Sequence, residues 1–106
     1  MTNTLISMTV TEALKGLKEK QFSATELVTA HNKQVEACAH LNAFITTTPD
    51  LALQQAAETD ARIAKGEMRP LDGIPIAMKD LYCTKDVKTT AASQILKNFV
   101  PTYEST

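Results

Sequence analysis

Apolar residues in the first two-thirds of the chain recur with a helical period. Val10, Ala13, Leu14 and Leu17 are spaced so that they share one helix face. Thr9 precedes this stripe and Glu12 follows three residues on, the spacing at which each side chain can satisfy the other's backbone amide. Ser23 and Glu26 repeat the signal and open a longer stripe through Leu27, Val28, His31, Val35 and Cys38. His31 lies on that stripe, which predicts a histidine packed between helices rather than a ligand. A short β-prone run, Ala43–Thr46, leads to a third helix. There Thr48 is placed to cap, Pro49 takes the first position, and Asp50 faces the positive end of the dipole. Leu53, Ala56, Ala57, Ala61 and Ala64 form a small-residue face, and Lys65 and Gly66 supply the stop. Glu58 and Arg62, one turn apart, are expected as a solvated surface pair.

The period changes after Gly66. Asp72-Gly73 is a turn signal, and Ile74-Pro75-Ile76-Ala77-Met78-Lys79 predicts a short strand. Alternation places Ile74, Ile76 and Met78 on one face, with Ala77 and Lys79 on the other. Pro75 restricts that strand to a sheet edge or to its first residues, because it has no amide hydrogen for a ladder. Val87–Thr90 is a second short strand or an extended loop, and Ser93–Thr106 holds a weak helical turn and then Pro101. The expected organisation is therefore helical over 1–66, with a strand-loop segment over 67–106, in one α/β domain. Two short strands cannot make a stable sheet alone, and Ser105 and Thr106 are helix-capping types with no helix to cap. Both features predict the amino-terminal portion of a larger, truncated α/β fold.

Composition narrows the function classes. Eleven Lys and Arg against 12 Asp and Glu give a net charge of −1, too even for a field that would gather nucleic acid or an anionic membrane. The opening residues lack the basic and long apolar runs of a targeting or spanning segment, so a cytoplasmic location is expected. Cys38 and Cys83 form no Cys-x-x-Cys pair, and His31 and His40 do not complete a zinc spacing, so neither a metal nor a cofactor is expected in the chain.

Lys79 is the candidate catalytic residue. A lysine at the carboxyl end of an apolar strand is where open α/β sheets place their ligands, and small Ala77 on the same face leaves room beside it. On local pattern alone the leading reading is a lysine that reaches solvent and pairs with Asp80.

The run Gly73-Ile74-Pro75-Ile76-Ala77-Met78-Lys79-Asp80, followed by Cys83-Thr84-Lys85 and Thr89-Thr90-Ala91-Ala92-Ser93, resembles the start of the amidase signature family. Ser23–Val28, Leu41–Ile45 and Ile95–Pro101 extend the likeness over nearly the whole chain and point to the glutamyl-tRNA(Gln) amidotransferase branch of that family. The resemblance implies a large mixed sheet wrapped by helices and a Ser–cis-Ser–Lys triad in which Lys79 is the lysine. It implies glutamine as the ammonia source, partner subunits in a heterotrimer, ATP and magnesium on a partner, and tRNA met only through the complex. The family usually has glycine where this chain has Asp86 and Ala92. Should either position need a positive φ, the side chain costs on the order of 1 kcal/mol. Ser93 falls in the threonine-rich loop and matches neither triad serine, and the segment that carries both serines is not among these residues.

Lysine in water titrates near ~10.4, so about 0.04% of it is neutral at pH 7. A general base needs a drop of roughly three units, about 4 kcal/mol, which takes a nearly complete enclosure. The 106 residues alone are therefore expected to be inactive. Two other readings remain open: a hydrolase of simple amides in the same family, or a non-catalytic module that binds a partner through the Leu27–Val35 stripe or the alanine-rich face near Ala57.

Overall fold

In the computed structural model, which describes residues 2–106, five helical elements follow in order: α1 (Thr2–Ile6), α2 (Val10–Lys18), α3 (Ala24–Ala37), a 3₁₀ turn (Ala39–Leu41) and α4 (Pro49–Ala64). The chain divides into two units. The first runs up to Asn42 and resumes over Thr48–Pro75; the second comprises Ala43–Thr47 and Ile76–Thr106.

The first unit is built as its apolar stripes dictate. Ala13 and Leu17 of α2, Ala24, Leu27 and Val28 of α3, and Ala56 of α4 form its core. Leu5, Met8, Phe22, Leu53, Ile63 and Ile74 pack around them. Leu17 and Leu27 are each 1% exposed, so each contributes on the order of 2 kcal/mol of burial. Short α1 carries no capping signal and escapes a reading by period; Leu5 ties it to the core.

The ends of the helices follow local chemistry. Thr9 Oγ1 accepts from the Glu12 amide at 3.2 Å while Glu12 Oε2 accepts from the Thr9 amide at 3.1 Å, the full reciprocal box. At α3, Ser23 Oγ accepts from the Glu26 amide at 3.0 Å. Asp60, from α4, accepts from the amides of Ala24 at 2.7 Å and Thr25 at 3.1 Å. Three orphan donors of one helix end are thus met by two side chains, and the carboxylate also faces the positive end of the dipole. Thr48, expected to cap α4, makes no side-chain capping bond. Pro49 occupies the first helical position without an N–H, which leaves one fewer donor for a cap to serve. Gly66, at φ +74, closes α4 with its own amide on the Ile63 carbonyl at 3.0 Å and the Glu67 amide on the Arg62 carbonyl at 2.9 Å.

The structure corrects two further expectations. Among the described residues no β-strand forms: neither Ile74–Lys79 nor Ala43–Thr46 joins a ladder, and Val87–Thr90 takes the loop form of its two expected alternatives. The physical reason is the lack of partners, since the amides of Ile76, Ala77 and Met78 donate to no other backbone group of the described chain. Arg62, expected to pair with Glu58, instead reaches Asp72.

Asp72 is the buried polar centre of the first unit. Its side chain, 5% exposed, accepts from Arg62 Nε and Nη2 at 3.0 and 2.9 Å and from the Arg69 amide at 2.9 Å. Arg69 Nε adds a bond at 3.1 Å, and Arg62 Nη2 also donates to Thr59 Oγ1 at 2.9 Å. The Arg62 guanidinium above all holds the Asp72 carboxyl well below the usual carboxylate range, against the opposing effect of burial. Gly73 follows at φ +84, where a Cβ would stand 2.7 Å from Leu17 Cδ1 and 3.3 Å from Ala24 Cβ. Only glycine meets both the conformation and the space.

His31 is half-buried on α3, and burial lowers its pKa, the environment of a packing histidine.

Candidate functional site

Lys79 lies in the second unit, which holds itself together by loop contacts rather than regular elements. Its chain enters a tight turn in which the Tyr82 amide donates to the Lys79 carbonyl at 3.1 Å. The Lys79 side chain is exposed and forms no ion pair among the described residues.

The neighbouring carboxylate is engaged elsewhere. Asp80 Oδ1 accepts from the Thr90 amide at 2.9 Å, and Asp80 Oδ2 accepts from the Thr90 hydroxyl. The Ala91 amide donates to the Asp80 carbonyl at 2.7 Å. The Thr90 hydroxyl, then its amide, hold the Asp80 carboxyl below its ordinary value. Of the reading from local pattern, the pairing between Lys79 and Asp80 does not form, while the lysine does reach solvent.

The loop around Thr90 turns through left-handed residues. Ala91 (φ +48) and Ala92 (φ +56) are the two centres of a turn closed by the Ser93 amide on the Thr90 carbonyl at 2.8 Å. Asp86 stands at φ +63, with its amide on the Pro101 carbonyl at 2.9 Å. Both positions where the family favours glycine thus have the positive φ that makes glycine the easier residue. Asp tolerates this region through its short polar side chain; alanine has no such compensation.

Thr89 is buried beside Thr90, and its amide donates to the Phe99 carbonyl at 3.1 Å, which joins the loop to the following segment. Ser93 Oγ accepts from the Ile95 amide at 3.2 Å, so it serves a local turn. Cys83 is a half-buried free thiol, and its contact with Tyr103 pushes the phenol's pKa up. Among the described residues no three His, Cys, Asp or Glu side chains converge as metal ligands, and no helix is long and apolar enough to cross a membrane.

The second unit leaves much apolar surface open: Ile76 is 75% exposed, Ile95 94%, Met78 57% and Tyr103 57%. Enclosure of Lys79 is not available from the unit's own side chains.

Reading by period misses the pairs Asp80–Thr90 and Asp72–Arg62. The ten-residue spacing of each pair corresponds to no regular element. The one local clue is Arg69-x-x-Asp72, an acid three residues after a backbone amide it can cap.

Residues 26–106 match the family model described as Amidase. Over 102 residues the chain is 59% identical to a protein of Bradyrhizobium sp. (strain ORS 278) named as a glutamyl-tRNA(Gln) amidotransferase subunit, covering 96% of this chain and 21% of that relative. Proteins of the same name from Rickettsia bellii (strain OSU 85-389) and Orientia tsutsugamushi (strain Boryong) are 54% and 48% identical, over 95% and 98% of this chain. The chain spans about one-fifth of the length of these curated relatives.

Proposed function

The chain belongs to the amidase family, and on that premise we propose that it forms the amino-terminal part of the ammonia-releasing subunit of a glutamyl-tRNA(Gln) amidotransferase, with Lys79 as its general base. The observation that carries this reading is the state of Lys79: it lies within the Gly73–Asp80 run that resembles the family signature, is free of any ion pair among the described residues, and has its adjacent carboxylate tied to Thr90.

In this reading Ile74–Lys79 becomes a strand once the rest of a large mixed sheet provides its partners, and the same packing strips water from the lysine. Neutral Lys79 takes a proton from a bridging serine, which takes one from the nucleophilic serine. The freed serine oxygen attacks the glutamine side-chain carbonyl, the C–N bond breaks, and the departing nitrogen regains a proton as ammonia. Water then hydrolyses the acyl-enzyme. Both serines lie outside these 106 residues. The ammonia passes to another member of a cytoplasmic heterotrimer, which amidates glutamate on tRNA using ATP and magnesium. The names of the relatives favour this over a hydrolase of simple amides.

The test is glutaminase turnover by the assembled enzyme carrying Lys79→Ala, expected to fall by at least about a thousandfold while the subunits still assemble. The 106 residues alone should show no turnover. Lysine-dependent turnover by the isolated chain, or an active Lys79→Ala enzyme, overturns the reading.

A further inference from the structure

Asp80 is a carboxylate that the proposed chemistry does not use, directly after the lysine that it does. We infer that Asp80 is a positioning residue, which through its clamp on Thr90 fixes the end of the lysine segment and keeps its own negative charge away from the Lys79 ammonium. This inference rests on the assignment of Lys79 as the base.

Three contacts make the clamp. The Thr90 amide and hydroxyl each take one carboxylate oxygen, and the Ala91 amide takes the Asp80 carbonyl. Side chain and main chain of one residue are thus fastened to two consecutive residues of the facing loop. Thr90 is 6% exposed, so its hydroxyl is set by packing and not free to rotate into water. The left-handed pair Ala91–Ala92 turns the chain immediately afterwards and points successive amides at Asp80.

The electrostatic consequence follows from what a general base needs. A carboxylate beside an ammonium favours the charged form and so opposes proton uptake near neutrality. A carboxylate saturated by hydroxyl and amide donors has its charge offset where it stands. Asp80 forms no ion pair among the described residues, and its carboxylate is held by the amide and hydroxyl of Thr90. The unit's other charged groups, Lys85, Asp86, Lys88, Lys97 and Glu104, form no ion pair among the described residues. Of its remaining titratable groups, Tyr82 is exposed, and Cys83 and Tyr103 lean on each other.

Steady-state glutaminase kinetics of the assembled enzyme across pH test this, with Thr90→Val, Thr90→Ser and Asp80→Asn. Thr90→Val removes the hydroxyl donor at nearly constant shape. It is expected to lower kcat about tenfold or more with KM little changed, since misplacement of a catalytic group is felt in the chemical step. It should also move the acid limb of the pH–kcat/KM profile to higher pH, because the released carboxylate belongs to the residue next to the lysine and a nearby negative charge favours the ammonium. Thr90→Ser restores both. Asp80→Asn weakens the clamp without leaving a charge, so kcat falls but the limb does not move alkaline. This variant keeps the test decisive should Thr90→Val fail to fold. Normal kcat and an unmoved limb in the folded variants, with Lys79→Ala inactive, overturn the positioning role while leaving the base assignment intact. An active Lys79→Ala enzyme removes the base assignment itself.

Discussion

Arg62 grips Asp72 with two parallel hydrogen bonds, Nε to Oδ2 at 3.0 Å and Nη2 to Oδ1 at 2.9 Å, across ten residues of chain. The pair fastens the last turn of α4 to the segment that leads toward Lys79. Truncation to Asp72→Ala removes the carboxylate that Arg62 and Arg69 share and leaves the Arg62 guanidinium, its side chain 26% exposed, without that acceptor, so the protein should lose stability. Urea denaturation monitored by circular dichroism should show that loss, with Asp72→Asn intermediate.

The same carboxylate sets an acid dependence. Its folded pKa lies below the unfolded one, so the unfolded chain binds the proton more readily. The stabilisation is complete above the ordinary carboxylate range and is lost as pH falls from about 5. Asp80 is shifted in the same direction and adds to the slope. Stability measured against pH should therefore decline more shallowly in Asp72→Asn than in the parent; equal slopes would assign the acid sensitivity elsewhere.

Glycine at Ala92 should stabilise the protein by about 1 kcal/mol, because alanine at φ +56 carries a strain that glycine does not. Asp86→Gly should gain less, since aspartate tolerates φ +63 better. The ordering is the prediction, read from denaturation midpoints and from amide exchange at Ser93, whose N–H closes the turn.

Gly73→Ala runs the other way. Its Cβ would meet Leu17 Cδ1 at 2.7 Å at a φ of +84, so strain and overpacking combine to a loss of about 2 kcal/mol or more. Adding Leu17→Ala should return part of that loss, a coupling that a double-mutant cycle reads directly.

What is legible in the sequence is local. Thr9–Glu12 and Ser23–Glu26 sit three residues apart, and their spacing alone marks both helix starts. The alternating stripe Ile74–Lys79 is legible as a tendency, yet a strand is made by its neighbours, and none among the described residues pairs with it. Asp60 capping α3 from 36 residues away and Asp72 gathering two arginines depend on the packed fold, which no short window encodes. The resemblance, rather than the pattern, singles out Asp86 and Ala92, and their backbone angles explain why glycine suits those places.

The unpaired amides of Ile76, Ala77 and Met78 have a consequence in time. In a polypeptide as long as the relatives, four-fifths of the residues are synthesised after these, a delay on the order of tens of seconds at roughly 5–20 residues per second. Throughout that interval a sticky apolar stretch is open to other nascent chains. Pro75 at one end and Lys79 at the other are the two residue types that discourage strangers from annealing there. Lys79 and Pro75 thus act first as sentries over an apolar stretch that has no strand partner among the described residues.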